Sequence, residues 1–339
     1  MRAMTHTTYG PPTVLTPSEL ERPTLRAGQI LVEVHASAVT QGDRRLRAAD
    51  FPGVSRVLGR LFSGVLRPRH PVGGTNFAGR VVQVAPDVTR FAVGDDVFGG
   101  VMHGAYAEYL AVGENEGIAR MPSGVSYGEA AAIPYGAVTA LVFLRDIAKV
   151  RKGERVLILG ASGGVGQMAV QLARHLGAHV TGVCSRDMEL VRELGAEQVI
   201  DYRQQDFTAL DQRWDVVFDT SDGQNFRRVR PVLSESGRYL SLYVTVRILA
   251  EMALSAMGSG PRALTSIALG TPALMEDIAA LVGDGAIRAV VAEHYPLARL
   301  AAAHAALQAT RPSGTLVVQV SAGAARRPHD EPAKLLRTA

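Results

Sequence analysis

One glycine-rich segment constrains this 339-residue chain more than any other. The apolar run Arg155-Val156-Leu157-Ile158-Leu159 leads into Gly160-Ala161-Ser162-Gly163-Gly164-Val165-Gly166, and Met168, Val170, Leu172, Ala173 and Leu176 follow at helical spacing. A buried strand, a glycine turn and an apolar helical stripe, in that order, open a strand–helix–strand unit. The pattern Ala161-x-Gly163-x-x-Gly166 keeps the spacing of the dinucleotide fingerprint, with alanine in the first slot. Gly163 lets the backbone approach a pyrophosphate, and Gly166 lets the helix pack closely on the strand. Ser162, Gly164 and Val165 complete a turn that would hold phosphates at the helix N-terminus.

The rhythm continues downstream. His179-Val180-Thr181-Gly182-Val183 reads as a second strand, and a helix follows through Leu190, Val191 and Leu194 to Gly195. Gln198-Val199-Ile200, Asp215-Val216-Val217-Phe218 and Arg238-Tyr239-Leu240-Ser241-Leu242 supply three more strands. Residues 264–269 read as a sixth strand at a sheet edge. This alternation predicts an α/β fold: a Rossmann-type, doubly wound parallel sheet with helices on both faces.

Upstream of residue 122 the texture is different. Short β-branched runs such as Gln29-Ile30-Leu31-Val32-Glu33-Val34 and Arg80-Val81-Val82-Gln83-Val84 alternate with turn pairs such as Gly94-Asp95, which predicts a mostly β, barrel-like region. Residues 50–70 read as a long loop with one poor helix, the wall of a pocket. Thr315-Leu316-Val317-Val318-Gln319-Val320 reads as a strand returning to that first region. The expected division is a discontinuous substrate domain (1–122 and 288–321), a nucleotide domain (123–287) and a disordered tail (322–339).

The end of the second strand selects the nucleotide. An NAD enzyme places Asp or Glu there, about twenty residues beyond the glycines, to hold the ribose 2′-hydroxyl. Here the strand ends Val183-Cys184-Ser185-Arg186. Ser185 can donate to a 2′-phosphate and Arg186 can pair with it, so NADPH is expected over NADH. Arg186 also reads as a solvated residue at a helix start, and the adjacent Asp187 opposes an anion.

Composition removes several classes. A single cysteine, Cys184, excludes a disulfide framework and any zinc site built from several thiolates. The net charge of +4 comes from bases interspersed with acids, and aromatics are only 6%, so a nucleic-acid partner is not expected. No apolar run reaches the ~20 residues of a membrane span and the start is unlike a signal peptide. A cytoplasmic protein without a membrane partner is expected.

Several segments together resemble the medium-chain dehydrogenase/reductase superfamily, in its zinc-free quinone oxidoreductase branch, through about residue 320. They are Tyr9-Gly10-Pro11-Pro12-Thr13-Val14-Leu15, Gly104-Ala105-Tyr106-Ala107-Glu108-Tyr109, Glu129-Ala130-Ala131-Ala132-Ile133-Pro134, and the stretches 88–99 and 190–202. The resemblance implies a GroES-like substrate domain beside the Rossmann sheet. It also implies Thr139 near the nicotinamide, Ser185 and Arg186 at the 2′-phosphate, and Tyr202 at the adenosine end. Leu242 and Tyr243 would line the nicotinamide pocket through their backbone, and Gly314 would lie near the cofactor. Tyr202 also reads as packing on the sheet, and Thr139 as a helix cap.

The branch often carries Asn-Pro before an aspartate in its first active-site loop; Thr40-Gln41-Gly42-Asp43 stands here instead. Thr40 could still bond a ribose or substrate oxygen, with shorter reach. The Gly74-Thr75-Asn76 turn lacks a metal-binding histidine, and no metal is expected. The implied chemistry is hydride transfer from NADPH to a small quinone or an α,β-unsaturated carbonyl, with Thr40 and Tyr135 as catalytic candidates. Two alternatives remain: an enoyl-thioester reductase, with Arg67 and Arg69 at the pocket mouth, or a nucleotide-binding protein that turns nothing over. In this superfamily such edge strands often pair across a two-fold axis, so the resemblance implies a homodimer.

Overall fold

The computed structural model describes residues 1–53, 55–221, 223–310 and 312–321. The tail expected at 322–339 lies outside the described residues. Six strands, Arg155–Leu159, His179–Cys184, Gln198–Asp201, Trp214–Asp219, Leu233–Ser241 and Arg262–Thr265, form one sheet. Across it they run third, second, first, fourth, fifth, sixth, all parallel. Alternate residues on these strands feed two cores. Val156, Ile158, Val216 and Phe218 pack on one face, whereas Leu157, Leu159, Val217 and Tyr239 pack on the other. Burial on both faces is why the strands read as continuous apolar runs. The sixth strand is shorter and earlier than expected. It pairs only with residues 238–241 and stops at Thr265, where its neighbour also ends, so Ile267 and Leu269 lie exposed beyond it.

A second sheet has seven strands. Its path is Val291–Pro296, Thr315–Gln319, Gln29–Val39, Asn76–Val84, Asp96–Gly100 and Ile118–Arg120, with Tyr109–Gly113 pairing to the first half of Gln29–Val39. Two register shifts against Asn76–Val84 bend the eleven-residue strand Gln29–Val39 and let it serve three neighbours. The chain that leaves the parallel sheet therefore comes back into this one through Thr315–Gln319, antiparallel to residues 36–39. Residues 50–70 contain one helix, Ser55–Ser63. No helix among the described residues is long and apolar enough to cross a membrane.

Helix Pro134–Leu141 joins the two halves. It starts on proline, whose missing N–H is harmless in a first turn. It also packs tightly on the helix after the glycine loop: a Cβ on Gly136 would stand 2.6 Å from the Gly164 carbonyl oxygen. That contact sets Tyr135 and Thr139 beside the loop.

Candidate nucleotide cleft and active site

The glycine loop is built so that close packing and open space alternate. Gly160 has φ +76°, and its carbonyl accepts the Gly163 N–H at 3.0 Å, closing the turn. A Cβ on Gly166 would lie 2.1 Å from the Gly160 oxygen, so only glycine lets helix Gly164–His175 meet the strand. Gly163 and Gly164 behave differently. A Cβ on Gly163 would meet only the Gly160 oxygen at 3.3 Å, and one on Gly164 only the Thr315 Oγ1 at 4.0 Å. Their outer side faces free space. No side chain caps this helix, so its first-turn N–H groups and the positive end of its dipole face that space, as an anion site requires. The Gln167 side chain donates to the Ser162 carbonyl at 2.8 Å and braces the turn, while Val165 is buried.

Beyond the glycines a cavity of about 470 Å³ opens at the carboxyl ends of the strands, between Gly160, Val183, Tyr202, Ser221 and Gln224. This is where the strand order reverses, the position at which doubly wound sheets bind nucleotides. Buried Asp219 holds its rim by accepting the N–H groups of Ser221 (2.9 Å) and Gln224 (3.0 Å) and the Tyr239 hydroxyl (3.1 Å). Ser185 donates to the Tyr202 hydroxyl at 3.0 Å. Tyr202 is 58% exposed, so it stands out from the sheet rather than packing on it. The bond from Ser185, with Arg203 and Arg186 nearby, holds the Tyr202 phenol below its ordinary range. The corner therefore favours negative charge. Arg186 reaches the Thr310 carbonyl at 2.8 Å, and Asp187 accepts the Ser313 hydroxyl. Gly314, at φ +125°, must be glycine, because a Cβ there would lie 2.8 Å from the Val290 oxygen. The residue that reaches the glycine loop is its neighbour, Thr315.

The opposite wall is helix Gln41–Ala48. Thr40 and Asp43 form a capping box: the Thr40 N–H donates to Asp43 Oδ2 at 2.8 Å and the Asp43 N–H to Thr40 Oγ1 at 3.2 Å. The Thr40 hydroxyl proton is committed to Asp43 Oδ2 at 2.6 Å, and Thr75 donates to Asp43 Oδ1 at 2.9 Å. This modifies the reading of Thr40 as a donor to ribose or substrate. Its first task is to start the helix, and with the side chain folded onto Asp43 its reach into the cleft is small. Gly42 and Arg45 meet two tyrosines. A Cβ on Gly42 would be 3.1 Å from the Tyr135 ring, and the Arg45 guanidinium lies 4.6 Å above the Tyr243 ring. Burial pushes the Tyr135 phenol up to about 12, with Arg45 opposing. Tyr243 is half-buried, and its N–H bonds to Ser241 Oγ at 3.2 Å while the Leu242 N–H reaches the Asp219 carbonyl, which anchors the segment. Thr139 donates to the Tyr135 carbonyl at 2.7 Å inside its helix and is not a cap.

The structure thus brings helix Pro134–Leu141, with Tyr135 and Thr139, against the glycine-loop helix, sets Arg45 over Tyr243, and bonds Ser185 to Tyr202, which borders the cavity beyond the glycines. Sequence reasoning missed Arg45. The capping pattern Thr40-x-x-Asp43 was the available signal, because a helix starting there puts residues 42 and 45 on one face.

Two regions carry family signatures: residues 26–123 match the alcohol dehydrogenase GroES-like domain, and residues 194–318 match the zinc-binding dehydrogenase family. A chloroplastic quinone-oxidoreductase homologue of Spinacia oleracea is 30% identical over 94% of this chain and 98% of its own. The chain belongs to the medium-chain dehydrogenase/reductase superfamily, in its quinone oxidoreductase branch. Within the superfamily, a 2-methylene-furan-3-one reductase of Solanum lycopersicum is 33% identical over 71% of this chain and 62% of its own. The solved quinone oxidoreductase of Coxiella burnetii superposes with a TM-score of 0.83 at 28% identity, covering 95% of this chain and 99% of that one. The fold is the pyridine-nucleotide-binding fold of this superfamily.

The zinc that some superfamily members carry does not fit these residues. Both Asp43 oxygens already accept hydrogen bonds from hydroxyl donors, and Cys184 is buried at the nucleotide strand with its thiol pushed up by burial. Among the described residues no three His, Cys, Asp or Glu side chains converge to hold a metal ion.

Proposed function

We propose that the protein reduces a small quinone or α,β-unsaturated carbonyl with NADPH and without zinc. The observation that carries the cofactor choice is the far corner of the cleft. The second strand ends without a carboxylate aimed at the ribose, and Ser185, Tyr202 and Arg186 form a corner that favours anions. When bound, NADPH would provide the hydride for the electron-poor carbon of the acceptor. The chain's own residues hold and polarise. Gly163 and Gly164 leave room for the pyrophosphate. Tyr135, with its phenol raised to about 12, stays protonated at neutral pH and offers a hydrogen bond to a developing oxyanion. Arg45 adds a fixed positive charge on the same wall, and water delivers the final proton. The names of the spinach and tomato relatives support a quinone or enone acceptor.

The test is loss of absorbance at 340 nm with NADPH and with NADH, using quinones, small enones and crotonyl thioesters as acceptors. A thioester preferred over every quinone and enone would favour the enoyl-thioester reading, in which Arg67 and Arg69 meet a phosphorylated carrier. Tight NADPH binding with no turnover of any acceptor would overturn the enzyme reading. We also infer a cytoplasmic homodimer joined along strand Arg262–Thr265, which lies at the sheet edge among exposed Met257, Ile267 and Leu269. A monomer in sedimentation would contradict the dimer.

A further inference from the structure

The segment that follows helix Gln41–Ala48 holds apolar side chains out of the molecule. Leu61, Phe62, Val65 and Leu66, four large apolar residues within six positions, are 56%, 63%, 57% and 92% exposed. Single exposed apolar residues are ordinary, whereas a group of them marks a binding surface. The group is fixed in place. Helix Ser55–Ser63 ends in a tight turn at Gly64, φ +120°, where a Cβ would lie 2.1 Å from the Arg67 carbonyl oxygen. The Arg69 N–H closes that turn on the Ser63 carbonyl at 2.8 Å, and the Tyr9 hydroxyl donates to the Gly64 carbonyl at 2.7 Å. A turn pinned from both sides keeps Val65 and Leu66 at its tip. Phe62 lines one cavity with Met102, which is also exposed.

Charge decides what covers this face. From Phe51 to Pro86 the sequence holds five arginines and no aspartate or glutamate. Arg56, Arg67 and Arg69 are exposed, and among the described residues none of them forms an ion pair. The carboxylate that precedes the segment, Asp50, is held by Arg44 at 3.0 Å. Arginines also stand among the apolar side chains: Arg60 donates to the Val65 carbonyl at 2.9 Å and Arg69 to the Leu61 carbonyl at 3.4 Å. We propose that the exposed face between Arg56 and Arg69 docks on an anionic lipid bilayer. Leu61, Phe62, Val65 and Leu66 enter the headgroup layer, and the arginines meet lipid phosphates. A second copy of this chain is a poor occupant, because a two-fold contact would set these arginines against themselves. The expectation of no membrane partner rested on the absence of a spanning run, and surface attachment needs an apolar face but no span. The docking surface does not depend on which acceptor is reduced.

The test is flotation of the full-length protein with vesicles of phosphatidylcholine alone and of phosphatidylcholine with about one-third phosphatidylglycerol. The protein is expected to float with the anionic vesicles and to partition at least tenfold less onto the neutral ones. Leu66→Ser should weaken partition about tenfold, because it removes an apolar side chain that the bilayer would bury. Arg56→Gln should weaken it about fivefold, the effect of one cation near an anionic surface. No flotation with anionic vesicles, equal partition onto neutral ones, or flotation unaffected by Leu66→Ser would overturn the proposal. So would a dimer in sedimentation that Leu66→Ser dissociates, since the face would then belong to a second copy. The comparison of the two vesicle types uses the unmodified protein and stands even if a variant fails to fold.

Discussion

The two walls of the nucleotide cleft are made of different material. The glycine-loop wall is bare backbone with free space before Gly163 and Gly164, and it places almost no side chain in the ligand's way. The wall opposite is made of side chains already bonded to one another: Thr40 to Asp43, Asp43 to Thr75, Arg45 over Tyr243. A backbone wall binds any molecule carrying the right phosphates, because N–H groups and a helix dipole recognise charge and little else. A side-chain wall is selective, and one substitution re-tunes it. On the proposed function, the difference separates holding a nucleotide from choosing an acceptor.

Substitutions on each wall sharpen that contrast. The largest effect is expected from Gly166→Val. Its side chain would collide with the Gly160 carbonyl, where even a Cβ falls at 2.1 Å, and the protein should not accumulate as folded material. Gly163→Val faces free space instead. It should weaken NADPH binding about a hundredfold, by fluorescence titration, while circular dichroism and melting stay near those of the parent. Equal damage from both variants would break the distinction between packing and binding glycines. Arg186→Ala should raise KM for NADPH about tenfold and leave KM for NADH unchanged, in keeping with one charge-assisted contact. A parallel loss with both cofactors would remove the 2′-phosphate role. On the side-chain wall, Thr40→Ala should lower stability by about 1 kcal/mol through the lost cap, measured by denaturant titration, without changing NADPH affinity.

A pH dependence is also expected. His304 is lowered to about 3 in the folded protein, so the unfolded chain binds its proton first as pH falls. Stability should therefore decline from about pH 6.5 toward 3, and His304→Leu should flatten the decline. The raised Tyr135 phenol acts at the other extreme. Its contribution is present below about pH 10 and is lost as pH rises toward 12, so Tyr135→Phe should reduce alkaline unfolding.

The nucleotide half was legible because its signals are local. A glycine that must be bare, a strand that must be apolar on both faces and a strand end lacking a carboxylate are all visible within a few residues. Tyr202 shows where local reading stops: whether it packs or projects depends on Ser185, seventeen positions away in sequence and 3.0 Å away in space. Thr40 shows the same limit. Its place in the first active-site loop suggested a ligand contact, and its hydroxyl went to Asp43 because a helix begins there.

The sequence by itself determined the parallel sheet, the phosphate-binding turn, and the absence of a thiolate-rich metal site. These follow from periodicity, glycine geometry and residue counts. Only the tertiary structure brought Arg45 over Tyr243 and Thr75 onto Asp43. Those arrangements join residues from distant elements, and whether a buried polar atom finds a partner is decided by packing alone.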